Sequence, residues 1–212
     1  MIQAYKSHTP KIAKTAYVHP SAVIIGDVTI GEYTNIWPGA VLRGDLQPIV
    51  VGDYTNIQDN VTVHVMSNAP THIGSYVTIG HNAVIHCSKV GDNTLIGMGA
   101  ILLGYAEIGH NSVIGAGSLV TEHKKLPNNS MLFGSPVKVV RALREDEIEA
   151  LHESALHYKL STASHPFVFI ATGKEQRDQR TLIEAFNHTG LPLKLYTPNS
   201  ASPENYNNYH HP

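Results

Sequence analysis

Cysteine, tryptophan and charge are all scarce in this chain of 212 residues. One cysteine excludes a disulfide framework. Charged residues make up 15%, against roughly 25% in ordinary globular chains. With 15 Lys and Arg against 17 Asp and Glu, the net charge is −2, so the basic excess of a nucleic-acid binder is missing. No run of 18 apolar residues is present, which excludes a transmembrane helix as read from sequence. Met1 to Ser21 contains no apolar core of a secretory signal, so a cytoplasmic protein without a membrane partner is expected. What the chain does have is a 42% apolar fraction, enough for a core, and 14 histidines.

The apolar residues recur with a period of six. They fall at Val18, Ile24, Ile30, Ile36 and Leu42, at Val51, Ile57 and Val63, and at Ile73, Ile79 and Ile85. The series continues through Val90, Ile96, Leu102, Ile108, Ile114 and Val120. A helix would repeat every 3.6 residues and a lone strand every two. A period of six with small corner residues predicts an all-β fold, a parallel β-helix of hexapeptide repeats. Three hexapeptides close one triangular coil, and successive coils pair at about 4.8 Å. Gly, Asn and Asp are expected at the corners, where the backbone turns sharply.

The period breaks between Leu42 and Val51, between Val63 and Ile73, and between Ile85 and Val90. Loops that interrupt a solenoid tend to carry function. Counting three repeats per coil stacks His86 over His64 over Arg43 in one outward column. The same count puts His81 on another side, above Asp59 and below Met98. Two imidazoles one coil apart can share a metal ion, and a catalytic zinc takes three protein ligands and leaves one position open. His81 cannot close such a site within one chain. Either a neighbouring subunit supplies it, or the three are unrelated surface histidines.

The stretches Trp37 to Asp45, Ile49 to His64, Ile79 to His86 and Gly134 to Lys138 resemble the gamma-class carbonic anhydrases, a family of hexapeptide-repeat proteins. The resemblance spans roughly residues 8 to 160. It implies a left-handed β-helix in a homotrimer and a metal held by His64, His81 and His86. The metal would be zinc, with iron or cobalt as alternatives, and His81 would come from the next chain. It further implies a charged network of Arg43, Asp45 and Asp59 at the trimer interface, and Gln58 orienting the reactive water. The implied reaction is the reversible hydration of carbon dioxide to bicarbonate.

The chain departs from the best-studied pattern of that family. Val65 to Thr71 holds no acid, and Leu46 stands where a glutamate would follow Asp45. It thus resembles the short-loop members, and Tyr158 matches a tyrosine found near their metal. Without shuttle acids, low or buffer-dependent activity is expected. The competing readings are a hexapeptide acyltransferase, a thioesterase-like metabolic accessory hydrolase, and a non-enzymatic assembly protein.

Three regions follow from the pattern: a β-helix over 1–134, a loop and helix over 135–160, and an extension over 161–212. Ile148, Leu151, Ala155 and Tyr158 form one apolar stripe, predicting a helix from Arg144 to Leu160 that covers a flank of the solenoid. In the extension, strands over 167–171 and 191–196 and a helix over 176–187 are expected, with a disordered end. Cys87, out of phase with the repeat, reads as structural.

Overall fold

The computed structural model describes residues 1–86 and 89–159. Cys87, the end of the expected helix, and the strands, helix and disordered end expected beyond residue 160 lie outside the described residues.

The β-branched and leucine side chains of the repeat turn inward and stack, and this stacking builds the solenoid. All the in-phase residues are buried except Val18, which is partly covered near the start of the solenoid. Burying each such side chain contributes about 1.5–3 kcal/mol. One face is an eight-stranded sheet that begins with Tyr17–Val18, Asn35–Ile36 and Asn56–Ile57. It continues with Thr78–Ile79, Leu95–Ile96 and Val113–Ile114. The other two faces form one eleven-stranded sheet, because the long strands Val23–Ile30 and Val41–Val51 run around the corner between them. Pairing within the solenoid is parallel.

Each break in the period has a structural form. The extra residues after Leu42 bulge out of Val41–Val51, where the register against Val23–Ile30 slips between Gly26 and Val28. Those after Val63 close a small hairpin, Met66 bridging Ala69. The Gln47 amide donates to Ser67 O at 2.9 Å, and the Tyr105 hydroxyl donates to Asn68 Oδ1 at 2.8 Å, so this hairpin is pinned from both sides.

Two expectations need correction. One corner carries the expected Asn93, Asn111 and Asn129 in its later coils but tyrosines in the earlier ones, with Tyr33, Tyr54 and Tyr76 at φ of 56°, 53° and 57°. The left-handed backbone costs a side-chain residue about 1–2 kcal/mol. The rings stack at 5.0 Å, each pair returning about 0.5–1.5 kcal/mol. Second, the segment before the helix is a hairpin rather than a loop. Ser130–Gly134 extends the eight-stranded sheet, turns through Ser135-Pro136, and pairs antiparallel with Val137–Ala142. Its second strand carries no hexad, so the sixfold count passed over it.

The helix runs Glu145–His157, with the Glu147 carboxylate accepting the Arg144 backbone N–H at 3.0 Å. Ala155 is buried and Ile148, Leu151 and Tyr158 are half-buried, as the stripe predicts. The helix lies along the tyrosine corner: His152 packs on Tyr76 at 4.3 Å, and Asn93 Nδ2 donates to Ile148 O at 3.1 Å. Among the described residues no helix is long and apolar enough to cross a membrane.

Candidate metal centre

The column derived by counting is the observed one. Arg43 pairs with His64, and His64 with His86, in adjacent strands. The two imidazoles are 5.4 Å apart between ring centres and tilted by 46°. The bulge after Gly44 turns Asp45 back over this column. Its Oδ1 lies 2.9 Å from His64 Nε2, and its other oxygen accepts from Arg43 Nη1. Burial would push the Asp45 carboxyl up. The hydrogen bonds from His64 and from backbone, with the Arg43 charge, outweigh that and hold it below the usual carboxylate range. His86 is shifted the other way from charging: burial lowers its pKa, the His64 and Arg43 charges add to this, and Glu122 opposes it. A depressed pKa keeps its imidazole neutral, the form that binds a metal.

His81 stands at a separate corner. Its Nδ1 is 2.8 Å from Asp59 Oδ2. That contact places the proton on Nδ1 and leaves Nε2 as the coordinating lone pair, the usual carboxylate–histidine–metal arrangement. Asn82 N donates to Asp59 O and Gly99 N to His81 O, confirming the stacking order of Asp59, His81 and Met98. Gln58, next to Asp59, is buried beneath Gly80.

The structure therefore brings Arg43, Asp45, His64 and His86 together on one face, and Asp59 with His81 at another corner. Within one chain Arg43 pairs with Asp45, and Asp59 with His81. Among the described residues of a single chain, no three His, Cys, Asp or Glu side chains converge on a metal position. Tyr158 caps the C-terminal helix, next to Lys159, whose Nζ lies 4.1 Å from the centre of the Tyr33 ring. What sequence reasoning missed is Glu122: the column above His86 runs through Leu103 to Thr121, and Glu122 is the next residue along.

The ligand chemistry fits a zinc-type ion: two imidazoles one coil apart, one of them biased to neutrality, and a third oriented by a carboxylate. Known proteins share the fold. The family described as bacterial transferase hexapeptide (six repeats) matches residues 9–44 and 87–122. A protein of Methanocaldococcus jannaschii named as a probable carbonic anhydrase is 52% identical over 151 residues, 71% of this chain and 95% of that protein. The carbonic anhydrase of Geobacillus kaustophilus is 49% identical over 158 residues, 74% of this chain and 87% of that protein. The crystal structure of a hexapeptide transferase family protein from Anaplasma phagocytophilum superposes with a TM-score of 0.71 at 41% identity. That match covers 74% of this chain and 93% of the other.

Proposed function

This chain belongs to the gamma-class carbonic anhydrase-like family of hexapeptide-repeat proteins, and on that premise we propose that it is a metal-dependent lyase that reversibly hydrates carbon dioxide. The observation that carries the reading is the pairing of His64 with His86 on one face, with His81 held ready by Asp59 at the next corner. Each chain thus offers two ligands on one side and one on another. A cyclic homotrimer uses every ligand, His64 and His86 from one chain and His81 from its neighbour. An all-imidazole set suits zinc, and also accepts iron or cobalt.

When bound, the metal supplies Lewis acidity that brings the proton loss of a water molecule near neutral pH. The chain's own residues do the rest. Asp59 fixes the His81 tautomer. Asp45, pulled between Arg43 and His64, orients the His64 ring. The buried Gln58 amide offers a donor and an acceptor for the attacking water. The transferase naming of some relatives concerns the same solenoid, and an acyl transferase built on one histidine base leaves the His64–His86 pair unexplained.

Metal analysis of the purified protein beside stopped-flow carbon dioxide hydration tests the reading. The expected result is about one metal per chain and hydration that a chelator abolishes and zinc restores. A protein without metal that hydrolyses or transfers coenzyme A thioesters, and hydrates no carbon dioxide, would contradict it.

A further inference from the structure

The acids missing after Asp45 and from Val65 to Thr71 leave open how a proton would leave this site. Above His86 the coils continue in register, Ile85 on Leu102 and Leu102 on Val120. Leu103 therefore follows one coil above His86, and Thr121 two coils above. The next position along is Gly104 with Glu122 stacked over it. The Tyr105 and His123 rings, 4.6 Å apart and parallel within 2°, fix that pairing one residue further on.

The φ of Gly104 is not in the left-handed region, so the turn does not demand glycine. Among the described residues, a Cβ there would come within 4 Å of Met66 Sδ, at 3.0 Å, and of Glu122 Oε1, at 3.8 Å. A thioether and a carboxylate thus lie where a side chain at this position would point. Gly104 is buried while Glu122 is exposed, so the glutamate bends down over Gly104 yet keeps contact with solvent. Its charge is felt at His86, against the opposing fields of His64 and Arg43.

We propose that Glu122 is the relay carboxylate of this site, taking up the proton released in each carbon dioxide hydration beside His86 and passing it to buffer. The inference rests on the functional reading above. In the step, the O–H bond of the reacting water breaks and an O–H bond forms on Glu122, the proton passing through bridging water. The carboxylic acid then gives its proton to a buffer base, the carboxylate is restored, and no electrons are exchanged. Acting on export of the proton, Glu122 affects turnover and not capture of the substrate.

The test compares the metal-loaded full chain with Glu122→Gln, Glu122→Asp and the surface control Glu107→Gln. In dilute buffer, Glu122→Gln should lower kcat by about tenfold or more with kcat/KM and metal content unchanged. Concentrated imidazole buffer should restore the rate, and Glu122→Asp should lie between. A second readout needs no turnover: in the metal-free protein, Glu122→Gln should shift the His86 side-chain nitrogen resonances and Glu107→Gln should not. An unchanged kcat in dilute buffer, an equal fall in kcat/KM, or an unmoved His86 resonance overturns the relay while leaving the hydration activity standing. A metal-loaded wild type that hydrates no carbon dioxide overturns the functional reading and the relay with it.

Discussion

Removing the Asp59 carboxylate separates the orientation of a ligand from the stability of the fold. His81 Nδ1 and Asp59 Oδ2 are 2.8 Å apart, with side chains 41% and 39% exposed. An ion pair that open to solvent contributes only about 0.2–1 kcal/mol after screening. Asp59→Ala should therefore move the unfolding free energy of the metal-free protein by no more than that. The effect on the metal should be larger, because the carboxylate selects the tautomer that leaves Nε2 free. Losing such an outer partner typically costs 10–100-fold in metal affinity, about 1.4–2.7 kcal/mol. Asp59→Asn, which retains a carbonyl acceptor, should fall between Asp59→Ala and wild type. Competition against a chromophoric chelator gives the metal affinity, and urea unfolding gives the stability. An affinity within twofold of wild type, or a stability loss as large as the affinity loss, would refute the assignment.

The core makes a contrasting demand. Ile85 is fully buried between Val63 and Leu102, so Ile85→Ala should cost about 2–5 kcal/mol in urea unfolding, against less than about 1 kcal/mol for Ile2→Ala at the exposed N-terminal strand. Asp45 governs the acid limb. Its folded pKa lies below its unfolded value, so its contribution is present above the unfolded pKa near 3.8 and is lost as pH falls through the folded one. Asp45→Asn should therefore lower stability at neutral pH and flatten the fall below about pH 4; an unchanged acid limb in thermal melts would contradict this. Light scattering should return a trimer mass at micromolar concentration, and a monomer mass would remove the shared site.

The hexad carried most of what could be read in advance. With a fixed number of residues per coil, stacking reduces to counting, so the Arg43–His64–His86 column and the Asp59–His81 pair were both legible. The left-handed tyrosines were not. Their backbone cost is offset by ring stacking between coils and by the helix residue His152, contacts that no local rule anticipates. The strand Val137–Ala142 was hidden for another reason: it pairs antiparallel and leaves Val139 and Val140 exposed, so it shows no inward period. The approach of Glu122 depends on an absent side chain at Gly104, which a search for chemical groups passes over.

The central claim is that one chain supplies His64 and His86 while its neighbour supplies His81. Mixing inactive His64→Ala and His81→Ala chains by joint unfolding and refolding tests it most directly. About three-quarters of random trimers contain both kinds, and in each of these one interface of three joins an intact His64 to an intact His81. About a quarter of the sites should recover metal and carbon dioxide hydration. A His64→Ala and His86→Ala mixture should recover none, since no chain in it holds both residues. Equal rescue in the two mixtures, or rescue in neither, would contradict a metal site divided between chains.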